Sequence, residues 1–143
     1  MPDPAPLIAE STVRIQASPD AVWKVLTSTA HIREWDDVPA DFTADALSAG
    51  SILEWEGHAV LAVTEYAPPG CLRMSFHSPK WPEAVPGIEY AYMIRPLRDC
   101  CELAIRVGDW SLAPDGKGQD YFDASVDFVA DAAGKIKDIA ERG

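Results

Sequence analysis

Apolar and polar residues alternate in short runs along most of this chain, and one long stretch near its end changes to the three-to-four-residue spacing of a helix. In the first run Ala9, Ser11, Val13 and Ile15 alternate with Glu10, Thr12 and Arg14, the two-residue period of a half-buried strand. Ser18-Pro19-Asp20 then reads as a helix start. Ser18 can cap free backbone N–H groups, Pro19 fits the first helical position and Asp20 suits the positive helix end. That helix turns Val22, Trp23, Val25 and Leu26 inward, Trp23 as core, and Thr29 to Trp35 reads as a second short helix. After a turn at Ser48-Ala49-Gly50, a strand over Ser51 to Glu56 puts Leu53 and Trp55 on one face, and Gly57-His58 suits a two-residue hairpin turn. The returning strand, Ala59 to Tyr66, carries Leu61 and Val63 on one face. Glu65 falls on that face too, either as a buried carboxylate or as the polar end of the strand. The rigid corner Pro68-Pro69-Gly70 leads into Leu72, Met74 and Phe76, alternating with Arg73, Ser75 and His77. Ile88, Tyr90, Tyr92 and Ile94 form the next inner face, and Cys101, Leu103, Ile105, Val107 and then Asp109 the last. From about Gln119 to Glu141 a helical stripe runs through Phe122, Ser125, Val126, Val129, Ala132, Ala133, Ile136, Ile139 and Ala140. At 1.5 Å per residue this helix is roughly 34 Å long, enough to cross a sheet. Gly134 and its alanine neighbours suggest a close approach of helix backbone to sheet. The order predicts an α+β domain in which a curved antiparallel sheet holds one long helix, with a hollow between them.

At 143 residues the chain fits a single domain, 1–143, whose first seven residues, Met1 to Leu7, read as a loose tail. Charge narrows the partners. Against 23 acidic residues stand 12 basic ones, a net charge of −11 spread along the chain, which disfavours nucleic acid and anionic membrane surfaces. The N-terminal Met1-Pro2-Asp3-Pro4-Ala5-Pro6 has no basic residue ahead of an apolar run, and no stretch approaches the length of a membrane span, so a cytoplasmic location is expected. Cys71, Cys100 and Cys101 are odd in number and lack metal-ligand spacing, and they read as reduced small hydrophobes. His31, His58 and His77 show no HxH or HExxH spacing, and no Ser sits in a Gly-x-Ser-x-Gly elbow. Neither a metal nor a cofactor is expected.

The order strand, two short helices, antiparallel strands, long helix resembles a known superfamily. Ala17-Ser18-Pro19-Asp20-Ala21-Val22-Trp23, the Trp35 that closes the second helix and the Val63 to Phe76 corner carry the likeness. They resemble the START, polyketide cyclase and pollen-allergen (SRPBCC) superfamily with the helix-grip fold. The branch in view is similar to the C-terminal domain of the activator of heat shock protein 90 ATPase. The likeness covers nearly all of residues 8 to 142. The chain departs from that branch in its short hairpin at Gly57-His58 and in the segment Ser78 to Gly87, with its three prolines and Trp81. The resemblance implies a cavity between sheet and C-terminal helix that opens near the strand ends and loops. It brings no catalytic triad, because members of the superfamily include cyclases, hydrolases, lipid or hormone binders and co-chaperone domains.

Candidate residues follow one at a time. Asp109 extends the apolar face of the last strand, where it serves either as an acid–base group at the cavity rim or as a strand-end carboxylate capping a loop. Tyr90 and Tyr92 offer flat apolar bodies and hydroxyls along the inner wall, unless they are ordinary strand aromatics packed on the helix. Trp55 reads equally as core or as ligand contact. Trp35 lies where the resemblance puts the opening, and Trp81 sits in a loop able to act as a lid, though either could plug the core. With Phe122, the expected ligand-binding set is Trp35, Trp55, Tyr90, Tyr92, Trp81 and Phe122, and the expected catalytic pair is Asp109 and Tyr92. The expected function is binding of a small hydrophobic, aromatic or lipid-like molecule by a monomer or homodimer, with room for cyclase-, dehydratase- or hydrolase-type acid–base chemistry. The alternative is a co-chaperone-like protein-interaction domain.

Overall fold

A computed structural model describes residues 5–83 and 85–142. Residues 1 to 4 of the expected loose tail, and Ala84 in the Pro-rich segment, lie outside the described residues. Six antiparallel strands form one curved open sheet: β1 (Ala9–Ile15), β2 (Ile52–Trp55), β3 (Ala59–Ala67), β4 (Cys71–His77), β5 (Glu89–Pro96) and β6 (Cys101–Gly108), in the order β1-β6-β5-β4-β3-β2. The short helices α1 (Pro19–Thr27) and α2 (Thr29–Trp35) follow β1, and α3 (Gly118–Arg142) closes the chain after a single helical turn at Trp110–Leu112.

Local chemistry accounts for these elements. Ser18 Oγ accepts a hydrogen bond from the Ala21 N–H at 3.1 Å, and Pro19 starts α1 where its missing N–H is of no consequence. The register pairs Leu53 with Leu61, Val63 with Met74, Leu72 with Tyr92, and Tyr92 with Ile105, so the alternating apolar sets converge on one face. Three expectations change. The first hairpin turn has three residues, Glu56, Gly57 and His58, because Trp55 pairs with Ala59 and its carbonyl accepts the His58 N–H at 2.8 Å. Thr64 forms a β-bulge between the pairs Val63–Met74 and Glu65–Arg73, so the extra residue flips Glu65 outward. There it meets the Arg73 guanidinium at 3.3 Å, while Tyr66 turns inward onto Trp23. Gly134 is exposed and makes no close approach to the sheet; Ala132 and Ala133 are the residues pressed inward.

α3 packs chiefly on β1 and β6, flanked by α1 and α2. Its buried line runs through Ser125, Val129, Ala132, Ala133, Ile136, Ile139 and Ala140, whereas Val126 is exposed. With the helix biased to one half of the sheet, the concave face over β3, β4 and β5 depends on side chains to fill it. Leu7 is tied down rather than loose. Its N–H donates to Asp109 Oδ1 at 2.8 Å and its carbonyl accepts the Trp110 N–H at 2.9 Å. The segment between α2 and β2 is pinned as well, by Thr29 Oγ1 donating to the Ala44 carbonyl at 2.6 Å and by buried Val38 and Leu47.

Candidate functional site

The Trp35 indole at the end of α2 donates to the Val25 carbonyl at 3.0 Å, which locks the last turn of that helix. The chain leaves in an extended conformation at Asp36, so the next two residues, Asp36 and Asp37, arrive as adjacent carboxylates above the concave face. Opposite them the β2–β3 hairpin supplies Trp55, Ala59 and Leu61. Phe76 of β4 and Tyr90 of β5 form the floor, and Phe128 of α3 the remaining wall. Together they enclose a half-open cleft of about 240 Å³. Phe76 stacks on Tyr90 with ring centroids 6.3 Å apart, and Tyr90 meets Phe128 edge-on at 5.8 Å. Asp37 accepts two hydrogen bonds, from the Val38 N–H at 2.9 Å and from the Trp55 indole at 3.3 Å, which ties the tryptophan to the rim.

The electrostatics of this cleft are unusual. Asp36 stands at the mouth with part of its surface in water, yet protein crowds its carboxyl. Burial pushes its pKa up to about 6, helped by neighbouring Asp37 and opposed by the Asp37 backbone N–H and by Lys135. Burial, with the nearby Asp36 charge, raises Tyr90 to about 12 and holds Tyr92 well above its ordinary value, with Tyr90 adding to the latter. Tyr92 is 1% exposed, and Tyr90 is half-buried in the cleft wall. A carboxyl poised near neutrality close to two phenols is equipped to take up, hold and return a proton.

Of the residues singled out from the sequence, Trp55 and Tyr90 line this cleft, and Tyr92 lies behind Tyr90 on the same strand face. The others sit elsewhere. Trp35 is a core residue, edge-on to Tyr92 at 5.8 Å. Trp81 is no lid, because it is 5% exposed, donates its indole N–H to Asp115 at 3.0 Å and packs on Phe76 and Tyr121. Phe122 is half-buried against the core and is not among the residues that line the cleft.

Asp109 does not face the interior. The chain turns at Gly108, and the carboxylate caps the helical turn that follows, accepting from the Ser111 N–H and hydroxyl and from the Leu7 N–H. Burial works to raise its pKa, but the Ser111 and Leu7 hydrogen bonds together outweigh it and hold the carboxyl below its ordinary value. Asp36 and Phe128 were the residues that pattern reading passed over. Phe128 follows Tyr121 and Ser125 at helical spacing, a signal hidden by the stronger stripe one residue away. Asp36 carries no periodic signal, since it lies just past a helix end.

The hollow between sheet and helix is smaller than expected because aromatic side chains fill one end of it. Phe76, Trp81, Trp110 and Tyr121 pack there with centroids 5.0 to 6.3 Å apart, edge to face except for Trp110 and Tyr121, which are tilted. Two larger recesses, about 350 and 390 Å³, lie on the outside. One is lined by Asp41, Glu54 and Glu56 at the β2 edge and the other by Gln16, Ser18 and Arg98 at a loop. Neither gathers several aromatic rings around a carboxyl, so the cleft beneath Asp36 is the better candidate despite its size.

No family model and no curated protein matches the chain in sequence. Solved structures match it in fold. Protein MLL2253 from Mesorhizobium loti superposes with a TM-score of 0.70 at 15% identity, over 94% of this chain and 97% of that one. The Polyketide_cyc-like protein Cgl2372 from Corynebacterium glutamicum gives 0.64 at 15% identity, over 96% and 93%. The Aha1 dimer from Colwellia psychrerythraea gives 0.60 at 15% identity, over 91% and 96%. The chain therefore has the helix-grip fold of the Aha1-like and polyketide-cyclase-like SRPBCC proteins. Among the described residues, no helix is long and apolar enough to cross a membrane.

Proposed function

We propose that this protein binds a small molecule with an apolar, ring-sized body in the cleft between β3–β5 and α3, and that the chemistry available there is proton transfer. The single observation that carries this reading is the meeting of aromatic walls with a desolvated carboxyl, Asp36, in one concave site. At about 240 Å³ the cleft suits one or two rings and not a long acyl chain, which narrows the ligand to the aromatic side of the expectation. Tyr92 keeps its proposed role as a proton-carrying hydroxyl. The carboxylate role passes from Asp109, engaged as a cap, to Asp36. A co-chaperone-like interaction is supported by likeness of fold to the Aha1 dimer alone.

The test is a melting-shift series with monocyclic and bicyclic aromatic compounds on the natural chain and on Trp55→Ala. A ligand that fills the cleft raises the melting temperature in proportion to the logarithm of its concentration, and the variant loses most of that shift. Equal shifts in both proteins, or none in either, would remove the cleft as the binding site.

A further inference from the structure

The proposed cleft has a charge character that a neutral aromatic ligand does not use. Its two carboxylates, Asp36 and Asp37, take part in none of the ion pairs formed among the described residues. Lys135, which acts on Asp36 from α3, is itself engaged by Asp131 at 2.9 Å. Asp37 spends its oxygens on a backbone N–H and an indole, neutral donors that leave its charge uncompensated. The same cleft is lined by the aromatic rings of Trp55, Tyr90 and Phe128, and the faces of such rings carry negative partial charge.

An anion would meet repulsion from the two carboxylates and from the ring faces of such a site. A neutral ring would satisfy the aromatic faces but leave the crowded carboxyl where it was. A cation with an apolar exterior meets all of these groups favourably, since it is stabilised by ring faces and carboxylates and is weakly hydrated enough to leave water. Two carboxylates are too few oxygens for a hard metal ion, which takes six or so. The net charge of −11 further enriches cations at the surface.

We infer that the ligand of this cleft is an organic cation, an alkylated or aryl-bearing ammonium group seated between Trp55, Tyr90 and Phe128 beneath Asp36 and Asp37. This rests on the cleft being the binding site proposed above, and the experiment separates the two claims. The probes are (meta-hydroxyphenyl)trimethylammonium and its neutral carbon isostere meta-tert-butylphenol, which share shape and differ in charge. Binding is followed at neutral pH and low salt by titration calorimetry and by the Trp55 indole N–H resonance. The ammonium compound is expected to bind about ten-fold tighter than its isostere or better. Asp36→Asn and Asp37→Asn should each move the ratio of the two affinities toward one. Both probes shifting the Trp55 resonance with equal affinity would leave the pocket in place and overturn the cationic ligand. Failure of both to shift that resonance would overturn the pocket as well. A preference for the cation that survives both Asn variants would assign its origin elsewhere and also defeat the inference.

Discussion

Two ends of the same interior are built from similar parts and arranged to opposite ends. At one, Phe76, Trp81, Trp110 and Tyr121 close around Asp115, which accepts the Tyr121 hydroxyl at 2.5 Å and the Trp81 indole at 3.0 Å. At the other, Phe76, Tyr90, Phe128 and Trp55 leave a gap beneath Asp36. In the first region each polar group has found another. The Tyr121 hydrogen bond lowers the Asp115 pKa and the same bond raises that of Tyr121. In the second, burial raises the pKa of the carboxyl and of the phenols alike, and the Asp37 N–H and Lys135 offset it only in part at Asp36. Aromatic density alone does not tell core from site; the satisfaction of the polar groups among the rings does.

The largest effect that separates the two regions is on stability. Trp110 is 2% exposed and donates its indole to Ser125 at 2.8 Å, so Trp110→Ala should cost about 3–5 kcal/mol by leaving a cavity and an orphaned hydroxyl. Trp55 is half-buried on an edge strand and its alanine variant should cost no more than about 1.5 kcal/mol. Urea unfolding of both variants decides it. Similar losses would mean that the cleft wall is as structural as the cluster.

A smaller effect, but one of opposite sign at the two ends, concerns the carboxylates. The Asp36 pKa in the folded protein, about 6, lies above its ordinary 3.8. Between those values the native state holds a proton that the unfolded chain has released, so stability falls as pH rises through this window and stays lower above it. Asp36→Asn removes that penalty. A shift of this size is worth about 3 kcal/mol at most, and water at the cleft mouth reduces it to about 1 kcal/mol. The variant should be more stable than the natural chain well above pH 6, and the difference should vanish below the ordinary carboxyl range. Burial sets this window first, with Asp37 beside Asp36 and Lys135 on α3 as the charged groups that act on it, while Tyr90 and Tyr92 on β5 feel the Asp36 charge in turn. Asp115, with its lowered pKa, runs the other way. It contributes stability above its ordinary range that is lost as pH falls, and Asp115→Asn should destabilise at neutral pH. Thermal unfolding across that pH range would show two crossing trends. Parallel ones would erase the distinction.

The frame of the fold was legible because it rests on periodicity. The alternation in β4, β5 and β6 and the Ser18-Pro19-Asp20 start each survive in the structure, since burial on one face imposes the pattern directly. The site was legible only where it shares that pattern, at Trp55 and Tyr90. Asp109 misled because alternation was extended one step past the strand, to a residue whose backbone had already turned. Glu65 was ambiguous because a bulge shifts the phase by one residue and leaves no mark in composition. Asp36 stayed invisible for a related reason. It gains its character from groups on β5 and α3, far away in sequence, and no local rule brings those together.

The finest test uses one atom at each end. Tyr121→Phe deletes a hydroxyl that donates to a carboxylate, and the fold should lose about 1 kcal/mol. Tyr92→Phe deletes a hydroxyl that the proposed function keeps for a ligand, so stability should be unchanged or higher by a few tenths of a kcal/mol, roughly. The same deletion should weaken whatever ligand or proton-transfer step uses that hydroxyl. A loss of stability in Tyr92→Phe equal to that in Tyr121→Phe would show the hydroxyl already engaged within the fold. The cleft would then be a second packed cluster with a packing defect, because an atom that stabilises the unliganded protein is not held in reserve for a ligand.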